Sequence, residues 1–275
     1  MINNNISVIV IEKNKPYITS CAVRSLLKNW LVPKNIFIGI NYNTNENIYE
    51  KYYNDLDNVK VINVYDNKKY CMVSVDHAMA IHKILDYVDT KYTLLIDNDV
   101  MFFNNMFDID NLNNYDIITL AGAPGTNTDY NNVNGYMMSC FNAQYVKTEF
   151  TIKYYIDNTG KTFKFYDRFN PAFFLIKTDL IKKYRNKIVD PDNPYLYYQW
   201  GEIENEFIIK DTLAEFTYCI LKNEMPNIHY IKCDWNKFIH VGHITENPAI
   251  YDMNSYFNYI ESEYSKKDIS NIISA

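Results

Sequence analysis

Over the first hundred residues, four short β-branched runs alternate with stretches of helical periodicity, and no other feature of the chain narrows its fold as much. Ser7 to Ile11, Asn35 to Ile40, Val59 to Val64 and Thr93 to Ile96 have the length and composition of buried strands. Between them, Pro16 opens a helix in which Ala22, Leu26, Leu27 and Trp30 recur at helical spacing. Ile48, Tyr52 and Leu56 mark an amphipathic segment, and Ala78, Ile81, Leu85 and Val88 step by three, four and three. This alternation predicts βαβ units around a mostly parallel sheet flanked by helices, an α/β class.

The fourth run ends abruptly at Asp97-Asn98-Asp99 and resumes as Val100-Met101-Phe102-Phe103. In open α/β sheets ligands bind outside the carboxyl ends of strands. Two carboxylates one residue apart in such a place need positive compensation, and a hard divalent cation is the usual one. A solvated turn is the structural alternative, disfavoured by the apolar runs on both sides. An EF-hand is excluded, because Val100 to Phe103 offers neither oxygen ligands nor glycine.

The second half is less regular. Ile117 to Leu120 reads as a strand, residues 121–135 as a Gly, Asn and Thr loop, and Pro171 to Lys177 as a strand that enters a short helix through Thr178 or Asp179 as N-cap. A Pro, Tyr and Trp-rich loop from Asp190 to Gly201 precedes two acidic helical stretches, and Phe238 to Val241 is a last strand carrying His240, with His243 close behind. No internal repeat or linker divides the chain, which reads as one domain over 1–275.

Composition removes several function classes. With 7 Gly in 275 residues and neither GxGxxG nor GxxxxGK[ST], the common glycine cradles for phosphate are absent. A net charge of 27 − 33 = −6 argues against a nucleic-acid partner. Five cysteines, at 21, 71, 140, 219 and 233, suggest neither a disulfide framework nor a zinc site and are expected to be reduced. The apolar run Ile6 to Ile11 is too short for a signal peptide or a transmembrane segment, so a soluble, cytoplasmic protein is expected. The 26 Tyr and abundant Asn fit the codon bias of an AT-rich genome, viral or bacterial.

The order of strand, helix with Ser25-Leu26-Leu27, strand, strand, helix with His77 and Ala80, then KYTLLIDNDVMFF resembles the nucleotide-sugar-dependent glycosyltransferases of the GT-A fold, family 2-like, whose DxD motif ends the fourth strand. FNPAFFLIKTDLIKK resembles their acceptor-side strand, KDTLAEFTYCILKN the helix after their catalytic carboxylate, and FIHVGH the late strand whose His completes the metal site. The usual Gly-x-Glu-Asp segment appears only as Trp200-Gly201-Glu202-Ile203-Glu204-Asn205-Glu206, and members with DTG at the helix start have Gly where Leu213 stands here.

The resemblance implies a GT-A, Rossmann-like sheet with an irregular α+β acceptor half. Residues 1–103 would bind the nucleotide sugar and 104–275 the acceptor. It implies a Mn²⁺ or Mg²⁺ cofactor, a UDP- or GDP-linked sugar donor and a glycan or protein hydroxyl acceptor. Asp99 is the expected direct ligand, Asp97 lies nearer the ribose or binds through water, and His240 adds an imidazole that favours Mn²⁺, with His243 as its rival. Asp211 is the first candidate for general base, although an N-cap role is equally expected there; Glu202 and Glu206 are the others. His77, read as opening its helix, can meet diphosphate oxygens or be a partly exposed helical His. Glu12 and Asn41 follow the first two strands and can touch base or ribose, and Trp200 can stack on a sugar or simply pack. Two other functions stay open at this point: a sugar-phosphate nucleotidylyltransferase, whose Gly-rich loop is missing from Glu12-Lys13-Asn14-Lys15, and a non-catalytic carbohydrate-binding relative.

Overall fold

Side-chain alternation along β1 (Asn3–Glu12) decides the layering: Ile6, Val8 and Val10 enter one hydrophobic cluster, Ile9 and Ile11 another. A strand that buries both faces belongs in the middle of a covered sheet, and β1 lies there. The computed structural model describes residues 3–12, 14–40, 47–64, 73–121, 143–204, 206–232, 234–241 and 249–264.

The main sheet adds β2 (Pro33–Ile40), β3 (Val59–Asn63), β4 (Tyr92–Ile96), β6 (Ile117–Ala121), β10 (Phe174–Lys177) and β13 (Ile228–Lys232). Their order is β3-β2-β1-β4-β10-β6-β13, and β10 alone runs against the others. Helices α1 (Pro16–Asn29) and α2 (Asn47–Tyr53) cover one face through Ala22, Leu26, Tyr49 and Tyr53. The other face carries α3 (Val73–Ile84), α4 (Thr178–Lys183), α5 (Arg185–Ile188) and α6 (Ala214–Asn223), through Ala78, Ile81, Ile181, Ile188 and Phe216. Gly39 lets α3 approach, since a Cβ there would stand 2.4 Å from Ile84 Cδ1 and 3.0 Å from Ile11 Cδ1.

The expected strands and helices of the first hundred residues are present. Beyond them the structure corrects three expectations. Trp200 to Ile203 lies not in a loop or helix but in a hairpin of β11 (Gln199–Ile203) and β12 (Glu206–Lys210). That hairpin continues through β9 (Thr162–Tyr166), β8 (Ile152–Ile156) and β7 (Gln144–Glu149) as a second, five-stranded sheet. Alternating Lys, Glu and aromatic residues give these strands one charged and one apolar face, a pattern that reads as amphipathic in either period. Of the two helical stretches expected between Gly201 and Phe238, the described residues hold one, α6; α7 (Met253–Tyr264) follows the strand at Phe238. Finally, α4 starts at Thr178, so its N-cap is Lys177 and not Thr178 or Asp179; no side chain caps it, and the Thr178 hydroxyl shares a 2.9 Å hydrogen bond with Thr93.

Two short strands, β5 (Val100–Phe102) and β14 (Phe238–His240), form an antiparallel ribbon beyond the end of β4. Cys21 and Cys219 are buried free thiols, and no helix among the described residues is long and apolar enough to cross a membrane. Asn41, His243, Cys71, Cys140, Cys233 and the loop from 122 onward lie outside the described residues.

Candidate metal and catalytic site

The chain leaves β4 at Ile96, turns through Asp97-Asn98-Asp99 and returns as β5. The ribbon fixes what comes next. His240 pairs with Val100, and the Val241 N–H donates to the Asp99 carbonyl at 2.9 Å, so the imidazole is delivered beside the carboxylates. Phe102 is held from behind: its N–H donates to Ser25 Oγ at 3.1 Å, its carbonyl accepts from Asn29 Nδ2 at 2.8 Å, and its ring meets Phe238 edge-on at 5.1 Å.

The result is a three-residue group. His240 Nε2 lies 3.1 Å from Asp99 Oδ1 and 3.3 Å from Asp97 Oδ2, and the donor atoms of all three fall within 4.8 Å of one another. Ligands about 2.1 Å from one octahedral ion stand roughly 3 Å apart when adjacent. The observed spacings match that, and two carboxylates with one imidazole are a suitable donor set for a divalent transition metal. Asp97, Asp99 and His240 can therefore hold a metal ion. Without one, burial opposes the charged imidazolium, but the Asp99 and Asp97 carboxylates overcome it and push His240 up to about 9.

Two further elements converge here. His77 sits in the second turn of α3, not at its start, and its Nε2 lies 3.9 Å from Asp97 Oδ1. The parallel neighbours β9 and β12 both run toward the site, and the residues that follow them are Asp167-Arg168 and Asp211-Thr212. Arg168 Nη1 pairs with Asp211 Oδ2 at 3.0 Å and donates to the Thr212 carbonyl at 3.3 Å. Thr212 Oγ1 reaches the Ser74 carbonyl in the first turn of α3 at 3.3 Å. Burial pushes Asp211 up, but Arg168, a hydrogen bond from Ser74 and the Thr212 N–H hold it below the usual carboxylate range, with His77 adding to the effect.

Asp211 is not a helix cap. The N-cap of α6 is Leu213, in the left-handed region at φ 69°, and no side chain caps that helix. Glu202 and Glu206 stand apart. They pair with Lys161 and Lys164 at 2.5 Å, and five extended residues from Glu206 to Asp211 span about 16 Å. Trp200, half-exposed at 52%, projects from β11 on the same face of the second sheet as Ile209, its cross-strand partner. Glu12 ends β1 fully buried and accepts hydrogen bonds from the Lys15 N–H and from Tyr49 Oη at 2.8 Å. Burial pushes its carboxyl up to about 7 in spite of those bonds.

Arg168 is the residue that sequence reasoning missed. The chain has three arginines among its 27 basic residues, and an Arg kept where Lys is the habit signals a fixed planar ion pair.

No family model and no curated protein matches the chain. Among solved structures it is similar to the 4-diphosphocytidyl-2C-methyl-D-erythritol synthase of Anaerococcus prevotii, with a TM-score of 0.51, 11% identity, and 94% of this chain and 96% of that one covered. It is also similar to core-mannan synthase A of Aspergillus fumigatus in its Mn/GDP form, at 0.49 and 10%, covering 87% and 75%. A third is the mannosyltransferase of Pyrobaculum calidifontis in complex with GDP-Man and Mn²⁺, at 0.39 and 12%, covering 76% and 55%. The strand order, the carboxylate pair that ends β4 and the first of these likenesses together show a GT-A-like, Rossmann-like α/β fold with a mostly parallel central sheet.

Proposed function

We propose that the protein is a metal-dependent glycosyltransferase that moves a sugar from a UDP- or GDP-linked donor to a hydroxyl of a glycan or protein. The observation that carries this reading is the Asp97, Asp99 and His240 group at the carboxyl end of β4, where such sheets bind ligands. Two carboxylates and an imidazole favour Mn²⁺ over Mg²⁺. The bound ion supplies Lewis-acid stabilisation of the charge left on a departing diphosphate. Asp99, the more enclosed carboxylate, holds the ion, and Asp97 holds it or the donor ribose. His77 and Arg168 bring donors to the same crevice for diphosphate oxygens. Asp211, kept ionised by Arg168, takes the proton of the acceptor hydroxyl. In this reading one domain over 1–275 holds the donor with residues 1–103 and the acceptor with 104–275, His240 crossing over to the donor's metal.

Sugar transfer is favoured over nucleotidyl transfer by the chain after β1. The backbone N–H groups of Asn14 and Lys15, which a phosphate loop would offer to its ligand, are given to Glu12 instead. The test is calorimetric titration of UDP, GDP and their sugars with Mn²⁺ and with EDTA, followed by product analysis. The reading expects binding that EDTA abolishes and release of nucleoside diphosphate. Pyrophosphate release from a nucleoside triphosphate and a sugar phosphate would assign the nucleotidylyltransferase activity, and binding with no turnover the carbohydrate-binding relative.

A further inference from the structure

Where the chain leaves β13 and turns back to form β14, it borders a cavity of about 670 Å³, a volume in the range of small-molecule sites. β13 runs parallel to β4, so Lys232 at its end lies at the same end of the sheet as Asp97. Lys237, also on the cavity, precedes His240 by three positions, at most about 10 Å of extended chain. Lys232 and Lys237 set this cavity apart, because among the described residues neither ammonium has an ion-pair or hydrogen-bond partner. Elsewhere Lys153, Lys161, Lys164 and Lys210 are each held by a carboxylate. A second cavity, of about 600 Å³, is bordered by Lys177 and Lys183, but Asp116 and Glu224 hold them at 2.6 Å. The single carboxylate on the first cavity, Asp234, accepts the Asn236 N–H at 2.9 Å. Two lysines against one carboxylate, in a chain of net charge −6, favour an anion there.

The wall beside these charges is aromatic, from Trp235 and the exposed Tyr230. Tyr264 of α7 braces the Trp235 indole, with ring centroids 5.5 Å apart, and its hydroxyl donates to the Val241 carbonyl at 3.4 Å. Tyr264 does not border the cavity, so the indole is held from one side and meets the cavity with another. A fixed aromatic beside polar groups suits a ring that is apolar on its face and polar at its edge, which is the chemistry of a sugar. We infer that this cavity binds an acidic sugar unit of the acceptor, one that carries a carboxylate or a phosphate, with its ring on Trp235 and its anion on Lys232 and Lys237. The acceptor role, and that alone, rests on the glycosyltransferase reading above.

The experiment titrates glucose, glucuronic acid, glucose 6-phosphate and inorganic phosphate into the metal-free protein, as wild type and as the double variant Lys232→Gln with Lys237→Gln. At least one charged sugar should bind wild type about tenfold more tightly than either glucose or inorganic phosphate, and the double variant should lose that preference. Preference for glucuronic acid assigns a carboxylate, and preference for glucose 6-phosphate a phosphate. Glucose that binds as well as the charged sugars overturns the inference, as does inorganic phosphate that does so, or a double variant that keeps the preference. Competition between the charged sugar and UDP with Mn²⁺ would also overturn it, by placing the cavity in the donor site. With Mn²⁺ and UDP- or GDP-linked sugars, wild type should then glycosylate the charged sugar in preference to glucose. Release of nucleoside diphosphate by hydrolysis, with no transfer to the bound sugar, overturns the acceptor role alone; no release from any donor overturns the glycosyltransferase reading with it.

Discussion

His240 has a choice between a proton and a metal ion, and pH sets the terms. Burial works against the imidazolium, yet Asp99 and Asp97 raise it from 6.5 to about 9. The pair therefore stabilises the metal-free fold fully below pH 6.5, and that contribution is lost as pH rises through 9. Asp99→Asn should then lower the metal-free melting temperature at pH 6 and leave it nearly unchanged at pH 9.5; equal losses at both would refute the pairing. Mn²⁺ affinity in wild type should climb over the same interval, by about tenfold per pH unit while one proton is displaced. Asp211→Asn is expected to cost about 10² or more in kcat, with Glu202→Gln and Glu206→Gln within about twofold of wild type. Loss of activity in either Glu variant would move the base to the hairpin. At this scale the sequence is legible where chemistry is local: Asp97, Asp99 and His240 stand at strand ends that periodicity locates. Arg168 reaches Asp211 across 43 positions, a juxtaposition that only the second sheet creates.

Two elements are shaped by a single backbone requirement each. Leu213 occupies the left-handed region at φ 69°, which favours glycine, and with 1% of its surface exposed it is packed in the cluster under α3. Leu213→Gly would relieve about 1–2 kcal/mol of backbone strain but forfeit about 2–5 kcal/mol of packing. Packing wins, and chemical denaturation should show net destabilisation; a more stable variant would mean that strain dominates. Gly39→Ala should cost about 1–3 kcal/mol, because the new methyl meets the Ile84 side chain inside a filled core. Elements with both faces buried, such as β1 and β4, announce themselves as apolar runs. The strands β7, β8, β9, β11 and β12 are charged on one face, and neither their period nor their pairing partner can be read from one segment alone.

At the scale of the molecule the site joins two sheets, β4 and the ribbon on one side, β9 and β12 on the other. A ligand that bridges them binds only the folded chain, so saturating Mn²⁺ with UDP or GDP should raise the melting temperature well beyond either alone. At a hundred times Kd the gain is about 2.7 kcal/mol, and EDTA should reverse it. An additive, metal-independent shift would contradict the shared site. The ribbon also sets a timetable for synthesis. His240 follows Asp99 by 240 − 99 = 141 positions, and at roughly 5–20 residues per second the ribosome delivers the imidazole about 7–28 s after the carboxylates. Until then the nascent chain has no complete group, and under the proposed reading metal loading would follow translation of β14.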